Sequence, residues 1–165
     1  MEEPIYTEEV RSTRTSALFA GFAVSFLVLF AWRYSAVGWK FTPGLFLFLA
    51  IFFLFYLINY RILRIRITHQ ALRLQFGLVN WTSDLENIRS CQLDDPPLWI
   101  KYGGAGVHFA QVGGIYRAFY NFLEHPRVLV VFWKKQGLVQ GISFTTRQPE
   151  RILEVLEQRR INRAE

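Results

Sequence analysis

The hydrophobic and polar positions of this 165-residue chain follow three successive patterns. Residues 15–32 and 41–60 contain no charged side chain and are mostly apolar. From residue 61 onward apolar and polar positions alternate with a period of two, and after Pro149 apolar residues recur at helical spacing. A period of two is typical of half-buried strands and a period near 3.6 of helices. The pattern therefore predicts two apolar helices, a series of strands and one final helix.

The two uncharged runs are long enough to cross a bilayer. They contain 18 and 20 residues, and as helices they would extend about 27 and 30 Å, close to the hydrocarbon thickness of a membrane. A cleaved signal peptide is the alternative for the first run, but four glutamates crowd the segment before it and a second run follows soon after. We predict a transmembrane hairpin over residues 15–60, with spans at about 15–32 and 41–60.

Positive charges indicate how this hairpin is oriented. Six arginines flank its outer ends, against two cations in the connecting loop. Positive flanks stay on the cytoplasmic side of a membrane, so we expect a multi-pass protein of the inner or plasma membrane with both termini cytoplasmic. Residues 1–14 are acidic and polar without an apolar period, and we expect them to form a flexible tail.

Residues 61–165 are predicted to form one cytoplasmic domain, a small antiparallel β-sandwich or barrel that folds without the hairpin. Apolar and polar residues alternate on both sides of a turn at His69 and Gln70, which predicts a β-hairpin. Turn signals such as DDPP, VGG and KKQG separate further strand candidates. These candidates are residues 78–82, 88–93, 106–111, 115–123, 127–134 and 138–145. A C-terminal helix after Pro149 is expected to cover one open end of the sheets.

The titratable side chains lack the spacing of a catalytic or metal site. His69, His108 and His125 fall in different predicted elements, so a metal site would have to be assembled by tertiary folding. Asp94 and Asp95 are adjacent and precede two prolines, and we interpret them as a solvated turn. We predict no enzyme activity, no catalytic residue, no metal and no cofactor.

Three other features have simple interpretations. The GGAG run at 103–106 lacks the lysine and hydroxyl of a phosphate-binding loop and indicates a bend between strands. Cys91, the single cysteine, is expected to be a buried and unreactive thiol. Ser83 and Ser143 have no base at motif spacing, which argues against nucleophilic catalysis.

Several segments, in their order along the chain, carry a resemblance. After two apolar runs come RIRITHQALRLQFG, DLENIRSCQL, GGAGVHF, YNF before RVLVVF, and ISFTTRQPERILEVL. This order resembles the bacterial pleckstrin-homology-like membrane proteins, over residues 61–158 as a pattern and over 15–60 by topology. The resemblance implies a seven-stranded barrel or two orthogonal sheets capped by a C-terminal helix, and no established enzyme activity. The run IYRAFYNFLEHPR departs from it, being more aromatic and basic than is typical.

The net charge of +6 belongs to the cytoplasmic part of the chain. Residues 61–165 hold 15 basic and 9 acidic residues, whereas residues 1–60 hold four of each. Cations beside a span are attracted to anionic headgroups by about 1 kcal/mol each. We predict a membrane-surface contact at Arg61, Arg64, Arg66 and Arg73. The alternative, that these arginines only set the topology, stays open.

Two functions follow from these patterns. The first is a non-enzymatic, membrane-tethered interaction or scaffold module, which presents a strand edge or an aromatic rim to a membrane protein, a cytoplasmic protein or a second copy of itself. The predicted rim consists of Trp99, Tyr102, Tyr116, Phe119 and Tyr120. The second is a binder of anionic phospholipid headgroups or an envelope sensor. Nucleic acid is not an expected partner, because the basic residues are scattered and the domain is held at a membrane.

Overall fold

The computed structural model describes residues 3–98, 100 and 105–161, and these form two long helices, two β-sheets and a final helix. A short 3-10 turn, Leu85–Asn87, joins the sheets. The helices are α1 (Thr13–Val37), α2 (Phe41–Asn59) and α3 (Pro149–Ile161). The strands are β1 (Tyr6–Arg11), β2 (Ile62–Ile67), β3 (Ala71–Phe76), β4 (Val79–Asp84), β5 (Ile88–Asp94), β6 (Gly106–Val112), β7 (Ile115–Asn121), β8 (Arg127–Gln136) and β9 (Val139–Thr145).

Helices α1 and α2 are both long and apolar enough to cross a membrane. They pack against each other through aromatic side chains, with the rings of Phe26 and Phe53 stacked at a centroid distance of 5.7 Å. Helix α1 continues past the predicted end at residue 32 and stops at Gly38, whose φ of 65° favours glycine. The two predicted helices are therefore confirmed, and α1 is longer than the uncharged run alone.

The segment before α1 is a strand rather than the flexible tail expected for residues 1–14. β1 pairs antiparallel with β2 along its whole length, ending with Arg11 opposite Ile62. Val10 is fully buried in the core. The sequence of β1, YTEEVR, carries too few apolar residues for a strand signal, and the strand forms because β2 offers it a free edge.

One carboxylate joins β1 to the C-terminal part of the chain. Glu8 accepts hydrogen bonds from the hydroxyl of Thr146 at 2.6 Å and from the backbone N–H of Arg147 at 2.9 Å. Thr146 is fully buried, so its bond to Glu8 is partly shielded from water, whereas the bond from Arg147 is exposed. The N-terminal strand is thus held by the connection that leads from β9 into α3.

The strands form two sheets. The first contains β1-β2-β3-β4 and is antiparallel throughout, and the second has the order β5-β8-β9-β7-β6. The expectation of a purely antiparallel fold is wrong at one pair, since β7 and β9 run parallel. The reason is the strand order. Chain direction reverses from β7 to β8 and again from β8 to β9, so β9 runs in the direction of β7, and it lies between β8 and β7 in the sheet. No strand pair among the described residues links the two sheets, which form an open sandwich instead of a closed barrel.

The core lies between the sheets and is closed by α3. Phe76 of the first sheet packs against Tyr120 of β7 and against Phe122, which directly follows β7. The ring centroids of Phe76 and Phe122 are 4.9 Å apart, and those of Phe76 and Tyr120 are 6.3 Å apart. Ile152 and Leu156 of α3 are buried in the same cluster. The predicted C-terminal helix is therefore present and covers the sandwich with its apolar face.

The connection between β7 and β8 holds the start of α1. Ser12 caps this helix, its hydroxyl accepting a hydrogen bond from the Thr15 backbone N–H at 3.0 Å. The Thr15 hydroxyl in turn accepts one from the backbone N–H of Leu123 at 3.4 Å. Partial burial raises the pKa of Glu124, but hydrogen bonds from Ser12 and from two backbone N–H groups of the first helical turn outweigh it and hold the pKa below its usual value. The sheet domain is therefore bonded directly to α1.

Candidate interaction surfaces

The outer face of the first sheet carries three of the four predicted membrane-contact arginines. Arg66 on β2 lies directly opposite Arg73 on β3, and both are exposed. Thr7 and Thr82 complete this row across the sheet. Like charges directly opposite each other in a sheet are unfavourable, so this pair is a local concentration of positive charge with no carboxylate in its row.

A carboxylate partly neutralises the next row of the same face. The Nε of Arg64 donates a hydrogen bond to Glu9 at 2.9 Å. This hydrogen bond lowers the pKa of the Glu9 carboxyl below its usual value, and Arg11 adds to the effect. Since Glu9 was expected in a flexible tail, the sequence did not predict this neighbour. Arg61 is exposed in the short connection between α2 and β2, next to the first residue of β2.

Two of the five residues of the predicted aromatic rim do not lie on the surface. Phe119 and Tyr120 are only 0% and 1% exposed, so neither can contact a partner, and the prediction is wrong at these two residues. Tyr120 belongs to the core, where burial raises its pKa to about 12, whereas Phe119 points to the other face and stacks on His108. Both faces of β7 are therefore covered at these two positions. Trp99 and Tyr102 lie outside the described residues.

Tyr116 is the predicted rim residue that the structure leaves half-buried, and it lies next to an open strand edge. Its ring stacks on Phe109 of β6 with a centroid distance of 6.3 Å, and Phe109 is 51% exposed. β6 is the last strand of the second sheet, with no described strand on its outer side. The edge therefore combines backbone groups that pair with no described strand and an exposed aromatic ring.

β6 differs in composition from the other edge strands. Its sequence, GVHFAQV, has no charged residue and no proline. The remaining edges, β1, β4 and β5, each carry at least one charged side chain. Charges and prolines on edge strands discourage pairing with another chain. β6 is therefore the described edge that is least protected against strand addition.

The far side of the second sheet contains a buried ion pair. Arg117 donates to Asp94 at 3.1 Å, and the Ser143 hydroxyl donates to the other carboxylate oxygen at 2.6 Å. The Asp94 and Arg117 side chains are only 7% and 10% exposed. The interpretation of Asp94 as part of a solvated turn is thus wrong, because the residue ends β5 and faces into the sheet. The signal missed in the sequence was the single charged position of β7, an otherwise uncharged strand.

The histidines lie on separate elements, in agreement with their sequence spacing. His69 is in the turn between β2 and β3, His108 on β6 and His125 between β7 and β8. Burial lowers the pKa of His108, and the charge of Arg127 lowers it further. His108 is therefore neutral at physiological pH and packs as an aromatic ring on Phe119.

Comparison of the chain with protein families, with curated proteins and with solved structures finds no match.

Proposed function

We propose that the chain is a non-enzymatic interaction module anchored in the inner or plasma membrane by α1 and α2, with a pleckstrin-homology-like sheet domain in the cytoplasm. The pairing of β1 with β2 supports two spans, because strands that precede and follow a hairpin and pair with each other must lie on one side of the bilayer. The excess of cations at the outer ends of the hairpin makes that side the cytoplasmic one.

The observation that carries the interaction function is the open edge of β6. An extended segment of a partner can add to this edge, its backbone pairing with the free groups of β6 and its apolar side chains meeting Phe109. The partner is a membrane or cytoplasmic protein with such a segment, or a second copy of the chain.

Site-specific photo-crosslinking in native membranes tests this interaction. A crosslinker replacing Phe109 is expected to give a discrete adduct, whereas one replacing Trp133, which is 66% exposed on β8, gives none. An adduct of twice the chain's mass identifies self-association. With the crosslinker at Gln111 instead, Phe109→Lys is expected to reduce the yield about tenfold or more, since it removes apolar burial of about 1.5–3 kcal/mol and adds a charge. Equal yields at positions 109 and 133 would contradict strand addition.

A second function, binding to anionic phospholipid headgroups, is favoured by the row of Arg66 and Arg73. Two opposed arginines without a carboxylate in their row are unfavourable for the isolated sheet and are relieved by an anion. Arg64 and Arg61 add positive charge to the same region, although Glu9 offsets that of Arg64.

Vesicle binding by a hairpin-free domain tests the lipid function. This domain consists of residues 3–12 joined through two glycines to residues 60–165. Arg66→Glu with Arg73→Glu is expected to weaken binding to anionic vesicles at least 30-fold at low salt, because each lost cation is worth about 1 kcal/mol and the glutamates add repulsion. Lys134→Glu with Lys135→Glu makes the same change in net charge on β8 and serves as the control. If both double variants bind equally weakly, the attraction is due to net charge and the specific row is not a lipid site.

A further inference from the structure

The turn between β3 and β4 is fixed against the end of α2. Gly77 has a φ of 60°, and a side chain there would overlap the backbone carbonyl of Asn59, the last residue of α2. The ring of Tyr60, which follows, contacts Phe76 at a centroid distance of 5.0 Å. The turn therefore lies at the level where α2 ends.

The length of α2 sets that level relative to a bilayer. Its 19 residues extend about 28 Å, which nearly equals the hydrocarbon thickness of a membrane. Lys40 precedes the helix at one end, and Asn59 and Arg61 mark the other. When α2 spans the membrane, Asn59 is at the border between hydrocarbon and headgroups, and so is the turn that contacts it.

Leu78 is the residue of this turn that follows Gly77, and its side chain is 76% exposed. An apolar side chain at the border of the hydrocarbon is removed from water by lipid, whereas the same side chain in the cytoplasm is not. We propose that Leu78 inserts into the lipid interface and holds the sheet domain against the bilayer. This inference rests on the proposed insertion of the hairpin, and its occupant is the lipid surface itself.

The chain contains a matched turn at the opposite end of the sandwich. Residues 137–139 repeat the Gly-Leu-Val sequence of residues 77–79, and Gly137 has a φ of 64°. Leu138 is 78% exposed. Leu138 follows β8, which begins beside the connection that holds α1. Because β8 has ten residues, its far end lies about 30 Å from that connection. Leu138 therefore matches Leu78 in sequence, backbone and exposure but not in distance from the membrane.

Fluorescence in the full-length protein tests the proposal. Leu78→Cys, Leu138→Cys and Val28→Cys are made separately in a Cys91→Ala background, labelled with a polarity-sensitive dye and reconstituted in phosphatidylcholine–phosphatidylglycerol vesicles. Val28, exposed in the middle of α1, reports insertion of the hairpin. We expect blue-shifted emission and quenching by spin-labelled lipids at positions 28 and 78, with neither effect at 138. Incorporating a photo-crosslinking residue at 78 or 138 and detecting lipid adducts gives a second measurement that keeps Cys91.

The outcomes separate the two proposals. If position 28 is quenched and positions 78 and 138 behave alike, either both quenched or both unquenched, the anchoring role of Leu78 would be overturned. The proposed spans would stand. Absence of quenching at 28 would overturn insertion of the hairpin and the inference that rests on it. Lipid adducts at 78 but not at 138 would support the anchor independently of the dye.

Discussion

The hairpin-free domain is expected to fold when it contains β1 and to remain unfolded when it begins at residue 60, because the domain predicted over residues 61–165 lacks the strand β1 that pairs with β2. Ser12 and Tyr60 are suitable points of joining, because Arg11 at the end of β1 and Ile62 at the start of β2 are already paired across the sheet. Two glycines between them complete a five-residue connection, a length used by natural β-hairpins. Retaining Tyr60 keeps its ring over Phe76.

The two forms are expected to differ in stability because β1 contributes contacts to the core and to the C-terminal connection. Without it, Val10 is missing from the core, which costs about 1.5–3 kcal/mol. The hydrogen bonds of Glu8 to Thr146 and Arg147 are lost as well, and a charge-assisted bond such as the part-buried one from Thr146 is worth about 1.5–3 kcal/mol. These losses are comparable to the whole stability of a typical domain, about 5–15 kcal/mol.

Circular dichroism and thermal unfolding of the two soluble forms measure this effect. We expect a β-type spectrum and a cooperative transition for the joined form only. Within that form, Val10→Asp is expected to abolish the transition, whereas Thr7→Asp, on the exposed face of the same strand, should be tolerated. Equal stability of the forms with and without β1 would show that the N-terminal strand is dispensable.

Replacement of Asp94 by alanine is expected to destabilise the domain by about 3–5 kcal/mol, because it leaves the charge of Arg117 buried without its partner. The Ser143 hydroxyl loses its acceptor at the same time. Denaturant unfolding of the joined domain, or of the full-length protein in nanodiscs, gives the free energy directly. Combining Asp94→Ala with Arg117→Met removes both charges and is expected to recover a large part of the loss.

An exposed ion pair in the same molecule provides the matched control. In α3 the Nη1 of Arg151 lies 2.7 Å from the Oε2 of Glu154, but the two side chains are 59% and 50% exposed. Glu154→Ala is therefore expected to cost less than about 1 kcal/mol. If Asp94→Ala cost no more than Glu154→Ala, the pair of Asp94 and Arg117 would be solvated in solution, and the description of it as buried would be wrong.

The parts of the fold that were predicted from sequence are those set by contacts along the chain. The two uncharged runs became α1 and α2, since a helix satisfies its backbone hydrogen bonds within the run itself. The alternation of Leu63, Ile65 and Ile67 with arginines produced β2, and the spacing of Ile152 and Val155 produced α3. Each of these signals is complete within a few residues of the element it predicts.

The parts that were missed depend on neighbours far along the chain. β1 has little strand pattern of its own and forms through pairing with β2, more than 50 residues later. Phe119 and Tyr120 were expected on a rim, yet both are buried because the two faces of β7 are covered at these positions.

By itself, then, the sequence determined the two apolar helices, most strands, the final helix and the side of the sheet on which the arginines lie, because hydrophobic periodicity is a local property. Only the tertiary structure decided that the N-terminal segment completes the first sheet, that Asp94 meets Arg117, that β6 is left as an open edge and that Leu78 lies at the end of α2. Each of these depends on the order in which strands pair, and strand order follows from the packing of the whole core, which no single segment encodes.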